Sequence, residues 1–474
     1  MRIIACLWFT LSVGILTGNS AAASSLAPDS IRILAIRVEF VEDNSANTTG
    51  NGKFDLSQPA GPYQIDPPPH TKVYFEDHLL FLKNYYAKIS AGRLLLNGEV
   101  FPAADTQAFL LDQPMTHYNP NRTPEENNAG LARLFRDAVL KADEDPAIDF
   151  SRYQSLIIFH AGVGKDVDLG FDETPQDIPS LFITSDFLQE NLGIAAVAVD
   201  NGTVQVSNGI IAPETETQAG IELGLNGILT SNFGSQLGWL DLFSPVTRRS
   251  GVGRFDLMDV GLFNGDGLLP ALPSAWTRLN AGWETPLEIS YALHDEFTIY
   301  STLSAGSEKI YRIPINQDEY FLMENRYAGW LSFDSLQYEL SVNRPERVTA
   351  REVLMTYFAD QVIFSPRGVL TDIKNPDIGL PGNGCLIWHI DERIIAANRA
   401  ENRINADPDH RGVDLEEADG SQDIGQAYDF LSAGYGSEIG WILDMWYAEN
   451  TSPVFKKYLF QRQPAGQPQL LPPC

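Results

Sequence analysis

The sequence predicts an α+β fold divided into two domains. Its 474 residues exceed the roughly 250–300 residues at which a single hydrophobic core stops growing. Residues 24–286 combine amphipathic helical patterns with runs of β-branched residues, whereas the part after Pro286 has short β-rich segments separated by turns. We therefore expect a mixed first domain over residues 24–286 and a β-sandwich-like second domain over residues 287–463.

The first 23 residues have the layout of a secretory signal peptide. Arg2 precedes an apolar run over residues 3–16, and three small residues, 21–23, stand before Ser24. The apolar run is shorter than the roughly 20 residues that a membrane-spanning helix needs, and no later stretch is long and apolar enough to span. We expect cleavage near Ala23 and a secreted chain, either extracellular or periplasmic.

Charge and cysteine content exclude several classes of protein. The formal net charge is −29, which repels phosphate backbones and anionic lipid headgroups, so neither nucleic acid nor a membrane surface is an expected partner. Cys6 leaves with the predicted signal, and Cys385 and Cys474 are too few for a disulfide framework. Residues 464–474 are rich in Pro and Gln and are expected to form a tail.

Hydrophobic periodicity predicts the elements of both domains. In the first domain it predicts strands over 33–40, 94–100 and 155–160 and helices over 75–90, 128–143 and 216–238. Gly238 is placed to end the last of these helices through a left-handed cap. In the second domain the strand predictions are 287–291, 297–300, 309–315, 319–324 and 385–390.

The helix at 216–238 carries the most informative stretch of the chain. Ser231 and Ser235 lie four residues apart on one face, with their Cβ atoms about 5–6 Å from each other. This is the spacing of the two histidines in an H-E-x-x-H zinc peptidase, whose intervening Glu takes a proton from the metal-bound water. Asn232 stands at the position of that Glu. The helix has the frame of a zinc site without its reactive side chains.

The neighbouring residues extend this likeness. Phe233-Gly234, Leu237-Gly238 and Asp241-Leu242-Phe243 resemble the H-E-F-G-H-x-L-G-x-P-D-L-Y segment of the immune inhibitor A-like metallopeptidases, a family of secreted bacterial zinc enzymes related to the metzincins. Similar segments in the same order cover most of residues 30–425, and they are 159–162, 253–258, 273–276, 282–283, 319–326, 384–392 and 412–420.

The resemblance implies a zincin-like, specifically metzincin-like, peptidase domain with a degenerate site. The two zinc histidines of the family fall on Ser231 and Ser235, and its catalytic Glu falls on Asn232. A Ser hydroxyl does not readily lose the proton that zinc would replace, and an amide cannot act as a general base. We expect no catalytic residue at these positions and no zinc. Asp241 remains as the family's third-ligand position, and Met258 as the methionine of its Met-turn.

We therefore expect a pseudopeptidase that binds a peptide or protein in the former active-site cleft without cutting it. An alternative is an active zinc metallopeptidase whose ligands come from distant loops, because Asp241 and Met258 are kept. No two of the seven histidines lie three, four or five residues apart, so no second histidine pair is available on one helix.

A calcium-binding extracellular structural protein is the third hypothesis. The candidate ligands are clustered carboxylates in a Gly-containing loop, whose spacing does not fit the twelve-residue EF-hand loop. A solvated acidic loop is the other interpretation of this segment, and we interpret the acidic run at 414–423 in the same way. The candidate calcium ligands are Asp166, Asp168, Asp172, Glu173 and Asp177.

Overall fold

The computed structural model describes residues 30–167, 173–218, 220–289, 296–304, 306, 308–342, 344–428 and 434–450. The predicted signal peptide, the tail at 464–474, Asp168 and Asp172 lie outside the described residues.

The described part is a mixed α+β fold, as predicted. Its strands are β1 (Ser30–Glu39), β2 (Leu95–Phe101), β3 (Phe109–Leu110), β4 (Ser155–Val163), β5 (Leu181–Ile183), β6 (Val197–Val199), β7 (Val204–Val206), β8 (Gly209–Thr215), β9 (Leu287–Glu288), β10 (Ile310–Pro314), β11 (Glu319–Arg326), β12 (Val362–Phe364), β13 (Leu370–Ile373), β14 (Gly384–Asp391) and β15 (Val413–Leu415). Its helices are α1 (Lys72–Ile89), α2 (Met115–Tyr118), α3 (Pro124–Asp143), α4 (Ser185–Leu192), α5 (Leu225–Gln236), α6 (Ala275–Asn280), α7 (Phe333–Ser341), α8 (Ala350–Tyr357) and α9 (Glu392–Asn398).

A six-stranded sheet forms the centre of the first half. Its strand order is β2-β1-β4-β8-β5, with β3 also paired to β1. The pairs among β1, β2, β4 and β8 are parallel, whereas β5 runs antiparallel to β8 at the edge. Every residue of β4 is buried, which explains why this strand is a continuous apolar run in the sequence rather than an alternating one.

Helices α1 and α5 pack against each other and against this sheet. The ring of Tyr86 on α1 lies 5.0 Å from the ring of Phe233 on α5, measured between centroids. At the C-terminal end of α5, Gln236 accepts a hydrogen bond from Ser155 of β4 at 2.7 Å. These contacts fix both the position and the rotation of α5, so its remaining face is presented away from α1.

The predicted helix at 216–238 is wrong in its first half, because α5 begins only at Leu225. Gly220 has a positive φ of 76°, and Gln218 pairs with Ile221 in a turn, so the chain is not helical there. A carboxylate oxygen of Asp66 accepts the Leu225 amide at 2.8 Å and satisfies one amide at the start of the helix. The predicted end is confirmed, since Gly238 is left-handed with φ 86°.

The second half contains a five-stranded sheet in the order β15-β14-β11-β10-β9 and a hairpin of β12 and β13. The predicted strand at 297–300 is wrong, since these described residues form no strand. The hairpin contacts the first half directly, where the amide of Asn226 on α5 donates to the Leu370 carbonyl at 3.0 Å. One contiguous cluster of buried apolar side chains extends from Ile31 to Met445. The domain boundary at residue 286 and the β-sandwich stay predictions.

None of the described helices combines the length and the apolar character that crossing a membrane requires.

Candidate functional site

One small pocket brings together all five positions that the resemblance singled out. Ser231, Asn232 and Ser235 of α5 line it with Asp241 and Met258, although these last two are separated from the helix by turns. The cavity measures about 20 Å³, which is room for roughly one water molecule. The other lining residues are Asp166, Ile228, Phe243 and Leu262.

Two of the three side chains from α5 bond to carbonyls of their own helix, and the third faces the sulfur of Met258. Asn232 is buried and its amide donates to the carbonyl of Ile228 at 3.0 Å. The Ser235 hydroxyl donates to the Ser231 carbonyl at 3.4 Å, and the Ser231 hydroxyl lies 3.9 Å from the sulfur of Met258. Ser231 and Ser235 are half-buried. None of the three offers an anionic ligand or a base.

Asp241 is buried beside the pocket and paired with a neutral side chain. Its carboxylate accepts from the Asn402 amide at 2.7 Å, and its own backbone N–H donates to the Asn402 side-chain oxygen at 2.9 Å. Burial raises the pKa of Asp241 to about 7, against the opposing effect of the Asn402 hydrogen bond, and the charge of Asp259 raises it further. Near neutral pH, Asp241 therefore exists in both its protonated and its ionised form.

Two buried carboxylates hold the turn that places Met258. Asp256 accepts the backbone amides of Met258 and Ser274, each at 2.5 Å. Asp259 accepts the amides of residues 251–253 at 2.7–3.1 Å. The Met258 sulfur lies so close to α5 that a Cβ at Gly234 would come within 2.9 Å of it. Gly234 thus allows the turn and the helix to touch at the base of the pocket.

The donor set of this pocket does not fit Zn²⁺. A zinc site in a protein is built from thiolate, imidazole and carboxylate ligands, usually three or four of them. Here two hydroxyls stand four residues apart, and the carboxylates are Asp241 and Asp166. Asp241 already binds Asn402, and Asp166 already accepts the amide of Ser180 at 3.0 Å. None of the histidines that the structure describes lines the pocket.

The two buried carboxylates of the predicted calcium loop that the structure describes, Asp166 and Asp177, have different partners. Asp166 lies beside Glu216, and burial raises the pKa of both, with the neighbouring charge of Asp166 raising that of Glu216 further. Asp177 instead accepts the amide and the hydroxyl of Thr49, both at 2.7 Å. Glu173 is exposed. Since Asp168 and Asp172 lie outside the described residues, calcium binding by this loop stays a prediction.

The sequence reasoning missed a second cavity, which is larger than the pocket on α5 and measures about 800 Å³. It lies where β4 and β8 end, and its walls include the buried pair His70 and Glu214, joined at 2.7 Å. Burial lowers the pKa of His70, but the hydrogen bond and charge of Glu214 outweigh this and raise it. In the sequence, the close spacing of Asp66, His70 and His78 could have indicated a polar site here. The partner of His70 in that site is Glu214, which lies 144 residues away in the chain.

Comparison with known proteins adds no family to these observations. No protein-family model matches the chain, and no curated protein matches its sequence. The likeness to immune inhibitor A-like metallopeptidases therefore depends on the order and spacing of the segments quoted above.

We expect the substitution Asp241→Asn to flatten the pH dependence of stability. Because its folded pKa lies above the ordinary value, Asp241 keeps a proton in the folded chain that the unfolded chain has lost between about pH 4 and pH 7. Its contribution to the free energy of unfolding is therefore favourable at low pH and is lost as the pH rises through that window. Chemical denaturation should show Asp241→Asn more stable than the wild type at pH 8, by on the order of 2–4 kcal/mol, and nearly equal at pH 4.

The substitution preserves the local contact, because the amide oxygen that it introduces can still accept the hydrogen bond from Asn402. An equal effect at both pH values would show that Asp241 does not titrate in this window.

Proposed function

We propose that this chain is a pseudopeptidase with a zincin-like first domain, which binds a peptide or protein outside the cell and does not cleave it. The observation that carries the proposal is the convergence of Ser231, Asn232, Ser235, Asp241 and Met258 around one pocket. These are the five positions that the resemblance assigns to a zinc-peptidase site. Three of them, on α5, carry side chains that cannot do its chemistry.

The convergence matters because it depends on tertiary structure. Helix periodicity alone places Ser231 beside Ser235. It does not place Asp241, which follows the helix and its left-handed end at Gly238, nor Met258, which comes from a separate turn. An amphipathic helix at this position does not by itself bring Asp241 and Met258 to the same pocket.

The edge of the sheet offers a place for an extended polypeptide. β5 is the last strand of the six-stranded sheet and contacts α5. An edge strand has unpaired backbone groups, and addition of a peptide strand to such an edge is a common mode of recognition. The pocket itself is too small for a side chain, so we place the ligand along β5 and over the half-buried Ser231 and Ser235.

Reduced, carboxymethylated casein is a suitable probe because it presents extended polypeptide with many sequences. We expect the purified chain to contain no stoichiometric zinc, to bind immobilised casein, and to leave casein intact with or without a chelator. Zinc in a 1:1 ratio, or cleavage that a chelator abolishes, would instead establish the active metallopeptidase.

A pair of matched variants tests where the casein binds. Ser235→Trp should weaken binding at least tenfold, because the indole would cover the face of α5 beside β5. Ser151→Trp places the same indole at an exposed position on the turn before β4, outside both α5 and β5, and should bind as the wild type does. Equal affinity of the two variants, or no casein binding by the wild type, would contradict this assignment of the ligand site.

A further inference from the structure

Three buried carboxylates meet in the C-terminal half, far along the chain from the pocket on α5. Glu417 and Asp423 follow β15, and Asp444 comes from a short helical turn at Ile442–Asp444. One oxygen from each residue lies within 4.8 Å of the other two. The exposed fractions are 4% for Glu417, 9% for Asp423 and 0% for Asp444. The interpretation of residues 414–423 as a solvated acidic face is therefore wrong for this part of the run.

Backbone amides and hydroxyls hold the three carboxylates in place. Glu417 accepts the amides of Asp423 and Ile424 at 2.8 and 3.0 Å. Asp423 accepts the Ser437 hydroxyl at 2.8 Å, and Asp444 accepts the Trp441 amide at 2.7 Å. The carboxylates are thus fixed by their surroundings, without any contribution from a bound group.

Two carboxylate oxygens of this cluster have no hydrogen-bond partner among the described residues. They are Oδ1 of Asp423 and Oδ1 of Asp444, and both atoms are buried. A buried carboxylate oxygen without a partner is costly, because burial removes the water that would otherwise solvate it. Two such atoms lie in this one cluster, and a carboxylate oxygen of this kind is a suitable ligand for a hard cation.

No described basic side chain is paired with the cluster. Within the part of the chain that the structure describes, none of the three carboxylates forms an ion pair with Lys, Arg or His. Arg411 is nearby but is engaged with the Asp414 carboxylate and the Ile424 carbonyl, both at 2.7 Å. The geometry thus gathers three carboxylates that no described side chain neutralises.

We propose that Glu417, Asp423 and Asp444 bind one Ca²⁺ ion. Carboxylate oxygens are the ligands of hard divalent cations, and Ca²⁺ tolerates the irregular geometry of a site built from loops. A site without nitrogen or sulfur ligands does not favour zinc. The ion offsets the negative charge of the three carboxylates, and it is bound by the two oxygens that lack hydrogen bonds.

The position of the site defines what the ion stabilises. Gly425, just after the first two ligands, donates to the Glu438 carbonyl at 2.8 Å, and a Cβ on it would come within 2.1 Å of the Ser250 carbonyl oxygen. Ser250 belongs to the turn held by Asp259, which leads to Met258. Beyond Asp444, Trp446 pairs with Cys385 of β14. The ion therefore joins the C-terminal segment both to the second sheet and to the Met258 turn.

Calcium titration of the chelator-treated full-length chain tests the proposal. We expect one equivalent of Ca²⁺ to bind and to raise the melting temperature by at least about 3 °C, as expected when a ligand binds only the folded state. Asp423→Asn/Asp444→Asn should lose both effects. Asp407→Asn/Asp409→Asn removes two exposed carboxylates from the same half and should keep them. Zn²⁺ at the same concentration should not reproduce the shift.

Terbium luminescence provides a second measurement that does not need the double variant to fold. Trp441 lies next to the site, because its amide binds Asp444. Tb³⁺ bound there should emit when Trp441 is excited, Ca²⁺ should abolish the emission by competition, and Trp441→Phe should reduce it severalfold. The proposal is overturned if the wild type takes up no Ca²⁺, or if uptake and the melting shift survive in Asp423→Asn/Asp444→Asn.

Discussion

The double substitution Ser231→His/Ser235→His should bind one Zn²⁺ per chain, whereas the wild-type chain should bind none. The two histidines would stand at i and i+4 on α5, on the face that also borders Asp241 and Met258. Together with the Asp241 carboxylate they would form a two-histidine, one-carboxylate set with the ligand types that zinc prefers. Both serines are half-buried, so the larger rings have solvent on one side. Metal analysis after dialysis against zinc measures the stoichiometry.

The control is Ser231→His/Gln236→His, which introduces the same two residues with the second one turned toward Ser155 of β4. It should bind zinc at least tenfold more weakly. Adding Asp241→Ala to the first variant should also weaken binding. If the two histidine pairs bind zinc equally, the frame around α5 is not that of a metal site and the proposed function loses its basis.

The substitution Glu324→Ala should destabilise the chain more than any exposed charge substitution, by about 3–5 kcal/mol. Glu324 is fully buried on β11, between the guanidinium groups of Arg278 and Arg326. It accepts from Arg278 at 2.8 Å and from the Trp388 indole at 2.8 Å. Burial would raise the pKa of Glu324, but the two guanidinium charges outweigh it and hold the pKa below its usual value. Removing the carboxylate leaves the buried Arg278 without this charge partner.

Denaturation with urea measures this loss, and Glu288→Ala is the matched control. Glu288 pairs with Arg312 at 2.8 Å in the same sheet, but Glu288 is exposed and Arg312 only partly buried, so removal of the carboxylate should cost less than about 1 kcal/mol. Similar losses in the two variants would contradict the role of the buried network. Because Arg278 lies on α6 and Glu324 on β11, this ion pair joins the first and second halves of the chain.

Much of the local structure could be predicted because local signals determine it. The buried run of β4 is apolar at nearly every position, and the helix pattern of α3 is preceded by a capping box formed by Thr123 and Glu126. The start of α5 could not be predicted in this way. Its first amide is satisfied by Asp66, which lies 159 residues away in the sequence, and no local pattern reports such a contact.

The acidic segments show the same limit for sites. In the sequence, the cluster near Asp166 and the run at 414–423 look alike, as polar loops rich in carboxylates. The structure buries Glu417 and Asp423, and it adds Asp444 from a turn about twenty residues further on. The burial of a carboxylate depends on what packs over it, and that is decided by contacts distant in the chain.

The sequence by itself determined which chemistry the helix lacks. Ser231, Asn232 and Ser235 cannot supply zinc ligands or a general base in any fold, because that limit lies in their functional groups. Tertiary structure alone decided that these residues share one pocket with Asp241 and Met258, and that Asp444 joins Glu417 and Asp423 in one buried cluster. Side-chain chemistry is local and can be read from residue identity, whereas the meeting of side chains depends on packing between elements that the sequence keeps far apart.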